Sequence, residues 1–109
     1  MTKKQKNVLE TKKYNIVPYI KKEDRKDYDD VIIEIVNRLL GKGPKDSGVA
    51  VVGDVNYVIS SIIWKLFDTK MSYTNGNNLV GVLECVKQEF YRRKLIPYEN
   101  EKIVEHGDI

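Results

Sequence analysis

The chain has one cysteine and one histidine in 109 residues, only three prolines, and no long apolar run. Each scarcity removes a class of protein. A lone thiol, Cys85, cannot build the disulfide framework on which small secreted domains depend, so it points to a reducing compartment. One histidine, His106 near the end, leaves no base for a nucleophile–base–acid triad. With Cys85 it also falls short of the ligand set of a zinc site. No apolar stretch approaches the roughly 20 residues that cross a bilayer. The first residues, Met1 to Lys13, are rich in lysine but lead into no apolar segment, unlike a signal peptide. The expectation is a soluble cytoplasmic protein without cofactor, metal site or catalytic residue.

What remains is an ordinary globular composition, 41% hydrophobic and 32% charged, of a length suited to one domain. The net charge of +3 is unevenly placed. Residues 1–13 hold five lysines and one glutamate, whereas residues 97–109 hold four acids and one lysine. Residues 1–14 therefore read as a basic, flexible arm and 15–109 as the domain. The arm could contact nucleic acid through its lysines by counterion release, or simply be solvated.

Hydrophobic spacing predicts an all-α fold: a small three-helix domain with an extended N-terminal arm and a short C-terminal tail. Pro18 biases Asn15 to Ile20 toward an extended lead-in. A first helix is expected over 21–40, where Tyr28, Val31, Ile32, Ile35, Val36, Leu39 and Leu40 share one face. Gly41, Gly43 and Pro44 should stop it. The loop 41–53 contains Val49-Ala50-Val51-Val52, a short strand or a plug. Gly48 and Gly53 flank these valines, but no Gly-Lys-Ser/Thr follows, so a phosphate loop is a weak reading. Asp54 is the expected N-cap of a second helix over 55–69. Its apolar stripe of Val55, Val58, Ile59, Ile62, Ile63, Leu66 and Phe67 is broader than a surface helix needs, which suggests a central helix or a subunit interface. Asn75-Gly76 marks a polar turn over 71–78. A third helix is expected over 78–95, ended by Pro97, with one further turn near 99–105 closed by Gly107. Cys85 falls in the apolar run of the third helix and reads as a buried small hydrophobe.

The polar residues that invite a functional reading lie chiefly in 87–99. Lys87, Tyr91, Arg92, Arg93 and Tyr98 interleave cations with aromatic rings. Guanidinium groups grip phosphates bidentately and tyrosine faces stack on bases. The plainer alternative is that cations in a last turn satisfy the helix dipole and its carbonyls. Asn56 and Tyr57, at the start of the second helix, could add a polar edge and a ring. Asn56 could equally tie down the preceding loop. Glu84 and Glu89 lie on different faces of one helix and, even with Glu34, form no compact acidic constellation for magnesium-dependent nucleotide chemistry.

Several stretches together resemble a small family of uncharacterised proteins common in tailed bacteriophages and in bacteria. They are Pro18-Tyr19-Ile20 with Asp24 and Arg25, the run from Gly53 to Ser60, and Gly81 to Lys87. They continue with Glu89-Phe90-Tyr91-Arg92-Arg93, Pro97-Tyr98-Glu99 with Lys102, and Gly107-Asp108. The resemblance covers about residues 17 to 108 and leaves out the lysine-rich front and the valine-rich loop. It implies a small helical phage-type protein and carries no activity with it. Such proteins without catalytic groups often act in counter-defence, by sequestering a nucleotide-like signal or by blocking a host complex. The residues and the resemblance together lead to a non-catalytic homo-oligomer binding a nucleotide-like anion through Asn56, Tyr57, Lys87, Tyr91, Arg92, Arg93 and Tyr98. The alternatives are a protein inhibitor of a host defence complex, in the manner of an anti-CRISPR factor, and a nucleotide-processing accessory enzyme. A phage-encoded chain would act in the host cytoplasm.

Overall fold

A computed structural model describes residues 20–109. The basic arm and the lead-in up to residue 19 lie outside the described residues. The fold is all-α, and no strand occurs among the described residues. After a short 3-10 turn, Lys22–Asp24, come helix α1 (Lys26–Lys42) and helix α2 (Val52–Thr69). Helix α3 (Tyr73–Phe90) then passes through a π-helical turn (Tyr91–Leu95) directly into helix α4 (Ile96–His106). The expected three helices are present, and the third is compound. The chain divides into two units within α2, after Val55.

Helix α1 carries its first-turn acids, Asp27 and Asp29, where the dipole favours them. Its end is closed by the Gly43 N–H, which donates to the Leu40 carbonyl at 3.2 Å. The loop beyond is a tight reversal. The Ser47 N–H donates to the Pro44 carbonyl at 3.1 Å, and the Val49 N–H to the Ser47 hydroxyl at 3.1 Å. Asp46 (φ 56°) and Gly48 (φ 69°) are both left-handed, a region that aspartate tolerates better than most side chains and glycine enters freely. The reversal brings the Val49 carbonyl against Gly43, where a Cβ would collide with it.

The valine-rich segment forms no strand. Helix α2 begins at Val52, and the Val55 N–H donates to the Val51 carbonyl at 3.1 Å. Asp54 is therefore not an N-cap but a first-turn acid, held there by the same dipole that would have favoured a cap.

The joint between α2 and α3 also differs from expectation. Asn75-Gly76 is no turn: α3 starts at Tyr73, behind Ser72, whose hydroxyl accepts the Asn75 N–H at 3.0 Å. The Asn75 amide reaches back to the Lys70 carbonyl at 2.7 Å and the Leu66 carbonyl at 3.5 Å. It thereby partners carbonyls that the end of α2 leaves open. Gly76 leaves room beside Phe67, whose ring edge lies 3.4 Å from where a Cβ would stand. Turn-forming residues serve here as the joint between two helices.

Pro97 does not end the third helix. It sits at the start of α4 and the chain continues helically to His106. Proline offers no N–H and its ring crowds the carbonyl four residues back. The π turn just before it accommodates this, with the Ile96 N–H donating five residues back, to the Tyr91 carbonyl. Gly107 (φ 86°) then closes α4, its N–H donating to the Ile103 carbonyl at 2.8 Å.

None of the described side chains is fully buried. Cys85 is exposed rather than packed away, because nothing among the described residues covers the face of α3 that carries it.

Two glycines test the loop geometry. Gly43→Ala should destabilise the chain by about 1–3 kcal/mol, the usual cost of a forced steric clash. Gly41→Ala, where a Cβ meets nothing within 4 Å, should instead gain about 0.5–1 kcal/mol from helix propensity. Urea denaturation of the two variants should move the midpoints in opposite directions.

Candidate functional site

Five of the seven candidate residues lie on the compound helix: Lys87 on α3, Tyr91, Arg92 and Arg93 in the π turn, and Tyr98 on α4. The whole basic stretch Tyr91–Leu95 is the π turn. The helix does not end there, so Arg92, Arg93 and Lys94 are not serving a helix C-terminus. The dipole explanation for this run loses its premise.

Acids on the preceding turn hold most of these cations. The Arg92 guanidinium meets both Glu89 oxygens, at 3.0 and 3.1 Å, and Arg93 reaches the same carboxylate at 3.6 Å. Glu89 thus gathers two arginines on one side of the helix. Lys87 pairs with Glu84 at 3.6 Å. Lys94 has no carboxylate partner among the described residues. All these pairs are solvated, so each contributes little to stability and can rearrange toward a stronger anion at small cost. Tyr91 is exposed. The Tyr98 ring carries the Lys102 ammonium 5.4 Å from its centroid. Lys102 in turn meets Glu105 at 3.1 Å.

Asn56 and Tyr57 stand on α2. The Asn56 side-chain oxygen accepts the Ser60 hydroxyl at 3.1 Å, one turn along the same helix, so its bond is internal to α2 rather than a tie to the loop. Tyr57 is 74% exposed. Helix α2 does not pack along α3 or α4, and the structure does not join these two residues to the Lys87–Tyr98 run. The sequence pattern had grouped them by residue type, which says nothing about how far apart two helices stand.

The acids form no metal centre among the described residues. Glu34 pairs with Arg38 at 2.8 Å on α1. Glu84 accepts the Gln88 amide at 2.9 Å. That hydrogen bond first, and the Lys87 charge second, hold the Glu84 carboxyl below its ordinary value. Side chains four residues apart on a helix meet, as Glu84 with Gln88 and Glu89 with Arg93 do; the tighter Glu89–Arg92 contact spans three residues, which the same helical geometry permits.

Because the folded-state value of Glu84 is depressed, its contribution to stability is present above the unfolded-state value. It is lost as the pH falls through the folded one. A carbon-detected NMR titration should find the Glu84 midpoint below the ordinary glutamate value. Gln88→Ala should raise it most of the way back. An unchanged midpoint in Gln88→Ala would show that the amide is not the cause.

No curated protein and no solved structure matches the chain. A family model described as "Domain of unknown function (DUF6899)" matches residues 17–109, from the lead-in through all the helices. The chain therefore belongs to this domain family of unknown function.

Proposed function

We propose that the protein is a non-catalytic, self-associating binding protein of phage type that acts in counter-defence by sequestering a nucleotide-like anion. The observation that carries this reading is the placement of the π turn on Tyr91-Arg92-Arg93-Lys94-Leu95. A π turn widens the helix and re-aims its side chains, and such turns recur at functional sites. Here it re-aims a ring and three cations between two further groups suited to a nucleotide, Lys87 and Tyr98. Arg92 and Arg93 would meet phosphate, Lys94 would add charge, and Tyr91 and Tyr98 would stack on a base. Glu89 holds the two arginines until a stronger anion takes its place. The remaining candidates, Asn56 and Tyr57, would contribute only from a different helix, in the assembled oligomer. Counter-defence and host-cytoplasmic action rest on the resemblance to phage proteins.

A second reading is a protein inhibitor that docks on a host defence complex. It is favoured by the apolar side chains that stand exposed along every long helix.

Native mass spectrometry with cyclic oligonucleotides, ADP-ribose derivatives and ordinary nucleotides should find an oligomer retaining one of them unaltered. Arg92→Ala and Arg93→Ala should each weaken that binding about tenfold, the loss of one charge-assisted contact. Glu89→Gln should strengthen it, because the competing carboxylate is gone. Binding unaffected by all three substitutions would remove the site. A chain that retains nothing from the panel, yet recovers one stoichiometric host protein from lysate, would favour the inhibitor.

A further inference from the structure

Helix α2 exposes a seam rather than scattered apolar residues. Val52, Val55, Ile59, Ile62 and Leu66 follow alternating steps of three and four, the spacing of one side of a helix that packs against another helix. Val52 is 81% exposed, Ile59 and Ile62 are each 47%, and Leu66 is 52%. Water is a poor neighbour for such a row. Two charges flank it, Asp54 near its start and Lys65 near its end. Neither takes part in an ion pair among the described residues. They lie about three helical turns apart, which puts them on the same side of the helix.

We propose that α2 is the self-association surface: two copies pair their α2 helices antiparallel, about a two-fold axis near Ser60 and Ser61. This rests on the homo-oligomer part of the function proposed above and gives it a surface. In that register Ile59 of one copy faces Ile62 of the other, and Val55 faces Leu66. The two-fold brings Asp54 of each copy within a lysine's reach of Lys65 of the other, forming the pair twice. Charge decides the direction. A parallel, in-register pair would put the Asp54–Lys65 flank of one copy on the opposite side of the seam from that of the other and leave all four charges without a mate, whereas the antiparallel pair sets the two flanks on the same side and matches opposite charges. The surface is thus complementary to itself, as a two-fold interface requires.

The test is sedimentation velocity on the full chain, in low salt, with circular dichroism confirming that helicity is kept. The expected result is a wild-type dimer or higher even-numbered oligomer. Lys65→Glu should weaken association at least tenfold, and the exchange Asp54→Lys with Lys65→Glu should restore it. A second measurement keeps the wild-type charges. Spin labels are placed singly at Tyr57→Cys and at Asp68→Cys, both in a Cys85→Ala chain. An antiparallel pair gives a longer inter-copy distance at 68 than at 57, the label at 68 being separated from its mate by roughly 20 Å along the helix. Equal distances, or an exchange that fails to restore association, would overturn the proposal. Oligomers that persist unchanged in Lys65→Glu would overturn this surface while leaving self-association standing. A wild-type monomer would remove self-association itself, and nucleotide retention, measured separately, would still decide the ligand.

Discussion

The apolar side of each helix has to be covered by something, and within the described chain nothing covers it fully. Every long helix carries an apolar stripe at helical spacing, yet none of the described side chains is fully buried. Burying a Leu or Ile side chain is worth about 1.5–3 kcal/mol. Solvated ion pairs return far less, about 0–1 kcal/mol each. The pairs on α1, α3 and α4 therefore cannot substitute for a core. They dress the polar faces of helices whose apolar faces are only partly covered among the described residues. The exposed thiol of Cys85 and the exposed seam of α2 have the same cause.

The compound helix shows how a local conflict becomes a feature. Its sequence contains a proline that would ordinarily stop a helix, followed by residues that form one well. Tyr98, Lys102 and Glu105 link through a ring contact and an ion pair on the far side of Pro97. Glu84, Lys87, Gln88, Glu89, Arg92 and Arg93 link on the near side. The π turn lets both sets share one continuous backbone. The most cationic stretch of the domain coincides with the place where the helix is least regular.

Helical periodicity made the three helices legible, because a spacing of three and four repeats over many residues and survives local irregularity. Boundaries were less legible where one residue type has two uses. Asparagine and glycine at 75 and 76 suit a turn, but they also suit a helix joint, where an amide caps the preceding carbonyls and a missing Cβ admits a ring. Pro97 suits a helix stop, but it also suits a first turn, where its absent N–H is not missed. Which use prevails depends on neighbours across the joint, and a local pattern does not contain them. The candidate site divides in the same way. Lys87, Tyr91, Arg92, Arg93 and Tyr98 share one helical run and could be grouped by sequence alone. Asn56 and Tyr57 needed a statement about two helices.

The charges of the chain fall into two sets with different meanings. Glu34, Glu84, Glu89 and Glu105 each have a cation on their own helix, so they require nothing from elsewhere. Others have no such partner among the described residues, Asp54, Lys65 and Lys94 among them. An unpaired charge in water costs nothing, so exposure alone gives these three no role. Asp54 and Lys65 differ from Lys94 in what lies beside them. They flank a seam whose apolar side chains gain by leaving water, and once that seam is covered a flanking charge loses part of its hydration. A flanking charge without a mate would then oppose the association, whereas one matched by the second copy would direct it. Lys94 has the arginines beside it instead, and there an added positive charge strengthens the field that would draw an anion to the π turn.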